Sequence, residues 1–208
     1  MRWIVILVAA LLTLPALADS LTADLGVIQQ RWAEIQYQLP EAQREKSFET
    51  LAKHSEQLLA AYPNRAEPLI WHAIVQSTWA GAKGGLGALK LVREARRNLE
   101  AAVAIDDTAL EGSAYTSLGS LYYQVPGWPV GFGNSDKARR YLQKALAINP
   151  DGIDPNYFFA DYLIEQGEKE RARAYLERAL AASDRPGRAL ADQGRREEIR
   201  QRMAQLGQ

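Results

Sequence analysis

The stretch "KARRYLQKAL", Lys137–Leu146, returns 34 residues later as "RARAYLERAL", Arg171–Leu180. Apolar residues fall at i, i+3, i+4, i+7 and i+8 in both copies, which is the spacing that gives a helix one buried face. An internal repeat of this length predicts a stack of similar helical units. The pairs that recur at this offset are Ala138 with Ala172, Tyr141 with Tyr175, Leu142 with Leu176, Ala145 with Ala179, and Leu146 with Leu180.

The residues around this repeat resemble the tetratricopeptide repeat (TPR), a unit of two antiparallel helices. The stretch "YTSLGSLY", Tyr115–Tyr122, is similar to the first-helix pattern of the family, with tyrosine where tryptophan is usual, and "ARRYLQKALAINP", Ala138–Pro150, is similar to the second helix and its stop. Gly119 and Ala138 stand where small residues let the two helices approach closely. The resemblance implies an all-α fold, a TPR-like right-handed α-solenoid of antiparallel helix pairs.

The repeats predict how the chain is organised. We expect a single TPR-like helical domain over residues 19–208, because helical patterns cover most of that range. A charged helix with a narrow apolar stripe at the C-terminal end suits the polar cap of a solenoid. The clearest repeats are 109–150 and 151–184, the capping helix is 188–207, a diverged repeat surrounds 72–102, and an earlier helix pair is Leu21–Leu39 with Lys46–Tyr62.

The first 18 residues have the layout of a cleaved secretory signal peptide. Arg2 precedes an apolar run, Trp3–Leu14, and the triplet Ala16–Ala18 stands before the polar Asp19. The apolar run is short for a membrane span, which takes about 20 residues. We therefore expect cleavage after Ala18, a periplasmic location, and no stable membrane anchor after cleavage.

The composition excludes several kinds of chemistry. The chain has no cysteine, so disulfides, zinc–cysteine sites and a lipoprotein anchor are excluded. The two histidines, His54 and His72, form no His-x-x-x-His pair, and the glycine-rich "GAKGGLGALK" at 81–90 lacks the Gly-Lys-Ser/Thr ending of a phosphate loop. With 25 basic and 25 acidic side chains, no net field gathers nucleic acid. We predict no enzyme activity, no catalytic or metal-binding residues, no cofactor and no nucleic-acid partner.

Two insertions separate the helices of a repeat. The interval between the two helices is seven residues longer in the repeat 109–150 than in the repeat 151–184. The extra residues fall in "VPGWPVGFG", Val125–Gly133. Its prolines predict that the preceding helix ends near Gln124, because proline lacks an amide donor and clashes with the preceding turn. Asn134 or Ser135 then caps the next helix. The stretch 81–90 lengthens the earlier unit at the corresponding place, so we expect both insertions at the same end of the solenoid, as a shared rim.

Aromatic side chains in and beside the second insertion are candidates for partner binding. Trp128 and Phe132, with nearby Tyr122 and Tyr123, are expected to line a cleft for a peptide or an apolar ligand. The alternative is that Trp128 folds back as an internal plug. The plug is the favoured interpretation, because large exposed apolar patches are rare on soluble proteins.

Polar residues near the start of the next helix form a second candidate group. Asp154 followed by Pro155 predicts an N-cap and a first helical residue. Asn156, Tyr157 and Asp161 would then face the concave surface of the solenoid as recognition groups.

Two functions remain open. The first is a non-enzymatic periplasmic scaffold that binds a protein or peptide partner through its concave face and inserted loops, by analogy with other repeat solenoids. The second is binding of a small apolar solute. The chain is similar in type to the tetratricopeptide component of some bacterial tripartite (TRAP-type) transporters, which is also secreted and all-helical. A closed apolar pocket would favour the solute binder, and an open groove would favour the scaffold.

Overall fold

The structure, a computed structural model, describes residues 14–207, with side chains from Ser20 onward. Most of the predicted signal peptide, residues 1–18, therefore lies outside the described residues. Over the described part the chain is all-helical, as predicted, and no described helix is long and apolar enough to cross a membrane. The helices are α1 Leu14–Tyr37, α2 Glu41–Ala61, α3 Ala66–Lys83, α4 Gly85–Ile105, α5 Ala109–Gln124, α6 Ser135–Ile148, α7 Ile153–Glu165, α8 Lys169–Ala181 and α9 Ala189–Leu206.

The odd-numbered helices contact one another in cyclic order. α1 contacts α3, α3 contacts α5, α5 contacts α7, α7 contacts α9, and α9 contacts α1. Each of α2, α4, α6 and α8 packs between the two odd-numbered helices that flank it in the sequence. We call the five odd-numbered helices the inner helices and the four even-numbered ones the outer helices.

The 34-residue repeat places its small residues where helices pack closely. Ala138 and Ala172, one in each copy, are fully buried, as are Leu142 and Leu176. On α5, a Cβ added to Gly119 would lie 2.5 Å from Cγ of Leu142. This distance is far below van der Waals contact, so glycine is what allows α5 and α6 to approach.

The insertion at 81–90 does not form a loop, contrary to the sequence-based expectation. α3 continues to Lys83 and α4 begins at Gly85, so the added residues lengthen both helices. Gly84 and Gly85 make the turn between them with φ angles of 65° and 62°, a region that glycine enters without a Cβ clash. Short side chains with high helix propensity, such as Ala82 and Ala88, favour helix over an extended loop.

The first turn of α5 is left-handed, a feature that the sequence pattern did not predict. Leu110, Glu111 and Gly112 have φ angles of 49°, 56° and 74°. For residues other than glycine this region costs about 1–2 kcal/mol each. The side chain of Leu110 packs against the buried apolar core, and Glu111 accepts a hydrogen bond from Nδ2 of Asn149 at 2.8 Å. These contacts hold the turn in place.

Candidate functional site

The loop Val125–Gly133, called the 125–133 loop below, is fixed to the helices at both ends. α5 ends at Gln124 and Asn134 caps α6, since its side chain accepts a hydrogen bond from the amide of Lys137. Both predictions are confirmed. The amide of Gly133 donates to the carbonyl of Pro126 at 3.0 Å, and the amide of Asn134 donates to the carbonyl of Tyr122 at 2.7 Å.

Glycines let this loop fold back on itself. The amides of Val130 and Gly131 both donate to the carbonyl of Gly127, at 3.1 and 3.0 Å. A Cβ on Gly131 would overlap the carbonyl oxygen of Pro126, and a Cβ on Gly133 would overlap that of Val125. The loop therefore has one compact conformation that depends on side chains being absent at these positions.

The apolar tip of the loop points away from the protein. The side chain of Trp128 is 90% exposed and that of Val130 is 52% exposed. The interpretation of Trp128 as an internal plug is therefore wrong. Phe132 fills the gap instead, because its ring packs edge-on against Tyr122 at 5.4 Å and lies under the guanidinium of Arg96 at 4.5 Å.

The two tyrosines that precede the loop lie in different surroundings. Tyr122 is buried at 3% exposure, between Phe132 and Tyr141. Tyr123 donates its hydroxyl proton to Oδ2 of Asp161 at 2.8 Å. Burial, helped by the charge of Asp161, raises the pKa of Tyr123 well above its usual value. Of the four aromatic residues predicted around this loop, only Trp128 is freely accessible.

The second predicted group lies inside the ring of inner helices. Asn156 is fully buried, and its amide donates to the carbonyls of Pro150 and Gly152, which ties down the start of α7. Tyr157 is 7% exposed and Asp161 is 5% exposed. Their role as partner-binding residues stays a prediction, but in this structure they do not stand on an open surface.

The side chains that cover this group come from α9. Arg195 lies over the ring of Tyr157 at 4.4 Å, and Arg202 pairs with Asp161 at 3.0 Å. Arg188, seven residues before Arg195, lies over the ring of Trp71 at 4.8 Å. The spacing of seven places Arg195 and Arg202 on one stripe of α9, with Arg188 at the N-cap of the helix. The seven-residue spacing of the arginines is visible in the sequence, but the sequence analysis considered only the apolar residues of this helix.

Asp154 is a member of the same buried cluster. α7 begins at Ile153 after Gly152, so the prediction of Asp154 as N-cap is wrong by two residues. Its carboxylate instead accepts from Arg195 at 2.8 Å and from Arg185 at 2.6 Å. Burial alone would raise the pKa of Asp154, but the charges of Arg195 and Arg185 hold it well below its ordinary value. Because Asp154 pairs with Arg195 and Asp161 pairs with Arg202, α7 and α9 run parallel.

The concave face that the sequence predicted as a binding surface is thus closed in this structure. A TPR solenoid with an unoccupied end would leave the inner helices open to a partner. Here α9 contacts both α7 and α1, and its arginines form ion pairs with Asp154 and Asp161 of α7.

One pair of side chains has the composition of a catalytic dyad but not its arrangement. Oγ of Ser55 lies 2.7 Å from Nδ1 of His72 and also donates to the carbonyl of Ala52 at 2.9 Å. Since a hydroxyl has one proton, Ser55 cannot donate to the carbonyl of Ala52 and to His72 at once, and the tautomer of His72 decides between them. Ser55 is fully buried, and burial lowers the pKa of His72. The pair packs in the interface between α2 and α3.

Comparisons with known proteins agree with this fold. The family model for the tetratricopeptide repeat matches residues 130–191. The chain is similar to a thermophilic TPR protein of Thermus thermophilus, with a TM-score of 0.58, 24% identity, and 89% of each chain covered. No curated protein matches the chain.

Two further solved structures show weaker likeness. MamA has a TM-score of 0.43 and 22% identity over 79% of this chain and 90% of its own. PilF of Pseudomonas aeruginosa has a TM-score of 0.37 and 18% identity over 91% of this chain and 90% of its own. Neither bears on the function of this chain.

The fold is that of TPR-like helical repeats. Residues 130–191 match tetratricopeptide-repeat sequence, and the helices around them continue the same architecture. The TPR resemblance drawn from the sequence is confirmed, and with it the TPR-like α-solenoid. The likeness to a transporter component stays a prediction.

Proposed function

We propose that this protein is a non-enzymatic scaffold that holds a protein or peptide partner at a rim formed by the 125–133 loop. The observation that carries the proposal is the 90% exposure of Trp128 on a loop whose two ends are hydrogen-bonded to α5 and α6. Tryptophan is the residue type most enriched among side chains that dominate binding energy. Trp128 and Val130 together make an exposed apolar tip, and contiguous exposed apolar surface marks sites of protein interaction.

The conformation of the loop supports this role. A loop that is already ordered loses little conformational entropy when it binds, so more of the contact energy appears as affinity. Arg93 of α4 donates to the carbonyl of Val130 at 3.2 Å, which ties the tip of the loop to the neighbouring outer helix. Arg93 lies eight residues along α4 from Gly85, so this contact joins the loop to the side of α4. Leu86, beside the α3–α4 turn, is 86% exposed.

Photo-crosslinking in the native host tests the proposal. A photoreactive amino acid at Trp128 is expected to give one recurrent protein adduct, identified by mass spectrometry. The matched control replaces Ile105, an exposed apolar residue at the opposite end of α4. Links from Trp128 only to the chain itself, or the same adducts from both positions, would show that the loop is not a partner site.

Binding of a small apolar solute is the second candidate, and the cavities give it less support. A cleft between α1 and α2 is lined by Val27, Ile28 and Leu51, with Arg31 and His54 at its edges. Val27 is 68% exposed, so the cleft is open to solvent rather than enclosed. A solute site usually buries most of its ligand.

We further propose that the protein acts in the periplasm after cleavage following Ala18. The support is the signal-peptide layout of residues 1–18 in the sequence. N-terminal sequencing of the protein from the periplasmic fraction of its host is expected to begin at Asp19. An intact Met1 on the protein, in the cytoplasmic fraction, would contradict the proposal.

A further inference from the structure

A column of four aromatic rings lies beside the 125–133 loop. Phe132 contacts Tyr122 at 5.4 Å, Tyr122 stacks on Tyr141 at 5.5 Å, and Tyr141 stacks on Tyr115 at 6.0 Å between ring centroids. The rings come from α5, α6 and the loop between them. Tyr122 and Tyr115 are buried, whereas Tyr141 is half-buried and meets the surface.

The column lies at the bottom of a channel between two outer helices. α4 and α6 both pack on α5, and within the described residues they make no backbone contact with each other. Arg96 of α4 lies over Phe132 on one side, and Tyr141 of α6 stands on the other. We call this channel, between α4 and α6 with α5 beneath it, the outer groove. The 125–133 loop closes one end of it.

Cations lie along the length of the outer groove. The ammonium group of Lys137 lies 5.3 Å from the ring centre of Tyr122, and that of Lys144 lies 5.0 Å from the ring centre of Tyr115. Together with Arg140 and Tyr141 they line a shallow depression on α6. None of these three cations makes an ion pair among the described residues. Their charges are therefore available to a ligand.

The two helices that bound the outer groove have an uneven charge. Helices α4 and α6 contain 8 Lys and Arg against 3 Asp and Glu, a net charge of +5. The whole chain is neutral, so all other residues together have a net charge of −5. Four acids lie beside the outer groove. Glu100 and Glu94 make long pairs of 3.6 and 3.9 Å with Arg96 and Arg97, Asp107 accepts a hydrogen bond from the hydroxyl of Tyr115 at 3.1 Å, and Asp136 lies in the first turn of α6.

We propose that the outer groove binds an acidic segment of a protein partner, in extended or helical form. The inference deepens the proposed function, on which it rests, by naming the chemistry of the partner and the surface it covers. Carboxylates of the segment pair with Lys137, Arg140 and Lys144, and its apolar side chains pack on Tyr141 and towards Trp128.

An elongated partner fits this surface better than a membrane does. The cations lie in a line beside a row of rings, within a channel bounded by helices on both sides. A lipid surface is flat and meets cations that project outward, such as a polybasic stripe beside an amphipathic helix. An acidic peptide can place successive carboxylates along the line.

Charge reversal in the outer groove, measured with a defined probe, tests the inference. The probe is a fluorescein-labelled peptide of alternating glutamate and serine, followed by fluorescence anisotropy with the full chain at physiological salt. The variant Lys137→Glu/Arg140→Glu/Lys144→Glu is expected to bind at least about tenfold more weakly. The neutral variant with glutamine at the same three positions shows a smaller loss, and circular dichroism verifies that both are folded.

The matched control reverses three exposed cations on α8, in the variant Lys169→Glu/Arg173→Glu/Arg178→Glu. It changes the net charge by the same amount but leaves the outer groove intact, so its affinity is expected to fall less than about threefold because exposed charges are screened over about 8 Å. Equal losses in the two triple variants would mean general attraction to a positive surface. Unchanged affinity in the first variant would also overturn the proposal.

Two further outcomes separate this inference from other interpretations. If vesicles containing phosphatidylglycerol bind the protein through the same three residues and the peptide does not, the groove serves a membrane and the proposal of an acidic protein partner is overturned. If the peptide binds in the outer groove as expected but crosslinking at Trp128 captures nothing, the loop proposal fails while the groove stands. Peptide binding alone does not depend on Trp128.

Discussion

Gly119 sets the distance between α5 and α6. Cγ of Leu142 occupies the space that a Cβ on residue 119 would need. Such a Cβ would also lie 3.2 Å from the amide nitrogen of Leu142. Leu142 is fully buried, so its side chain has little room to turn away. The TPR resemblance gives the same residue the same role, and the structure supplies the physical reason.

We expect Gly119→Ala to lower the free energy of unfolding by about 1–3 kcal/mol, because an extra methyl group in a packed interface forces helices apart. Gly81→Ala is the matched control. Gly81 is also helical, nothing lies within 4 Å of its added Cβ, and alanine favours helix there by up to about 1 kcal/mol. Urea denaturation measures both. A Gly119→Ala protein as stable as the wild type would mean that α5 and α6 are not held at this spacing.

At this scale the sequence predicted contacts within a repeat better than contacts between distant segments. Asn134 was recognised as a cap because capping depends on neighbours three residues away. Asp154 was assigned to the same role, but its partners Arg185 and Arg195 lie 31 and 41 residues further along the chain. A single sequence contains no direct signal for such a pairing, apart from the spacing of seven that Asp154 and Asp161 share with Arg195 and Arg202.

At the scale of helices, α9 is a partner of the inner helices as well as a cover for the end. Its apolar residue Ile199 is fully buried, while Arg195 has 11% of its side chain exposed. A buried cation needs partners, which Asp154 and Glu198 supply. The sequence indicated a charged helix with a narrow apolar stripe, suited to a polar cap, and did not indicate that its arginines pair with acids of α7.

We predict that Arg195→Met destabilises the protein by about 3 kcal/mol, because removal of one member of a buried pair leaves the other with incomplete compensation. The same interaction gives a pH dependence. The pKa of Asp154 is lowered in the folded protein, so the stabilisation is present above the ordinary aspartate value near 4 and is lost as the pH falls below it. Arg195→Met should therefore lose less stability than the wild type between about pH 4 and pH 2.

Arg200→Met is the control on the same helix. Arg200 pairs with Glu197 at 3.3 Å and both side chains are 59% exposed, so its removal is expected to change stability by no more than about 0.5 kcal/mol. Chemical denaturation at a series of pH values measures all three proteins. Equal effects of the two substitutions would mean that the cluster around Asp154 contributes no more than a surface pair.

At the scale of the whole molecule, α1 and α9 join the two ends of the described chain. Gly194 of α9 lies directly against the ring of Tyr37, so closely that an added Cβ would overlap it. In an open repeat array each unit contacts only its neighbours, and the ends open independently. The cyclic contacts of the inner helices couple the first helix to the last.

We therefore expect Gly194→Ala to increase amide hydrogen exchange in α1 and α9 together, while α5 and α6 keep their protection. Gly26→Ala in α1, where nothing lies within 4 Å of the added Cβ, is the control and should leave exchange unchanged or slower. Hydrogen–deuterium exchange with mass spectrometry resolves the helices separately. Faster exchange in α9 alone would indicate ends that open independently.

The sequence predicted this architecture only in part, for a physical reason. Local periodicity, glycine and proline positions and the 34-residue offset specify helices and how neighbours pair. The closure of the ring depends on whether the last helix reaches the first, which follows from small rotations accumulated over the whole stack. The exposure of Trp128 was missed for a related reason, since Phe132 is equally able to fill the gap and composition does not rank the two.

The glycine turn between α3 and α4 allows the length of this helix pair to vary. α3 has 18 residues and α7 has 13, so α3 is longer by about 7.5 Å at 1.5 Å per residue. Gly84 and Gly85 have open space around them, and the turn contributes nothing to the buried core. Whole helical turns can therefore be added or removed at this hairpin without changing the buried core. A reporter peptide inserted there would lie away from the repeats.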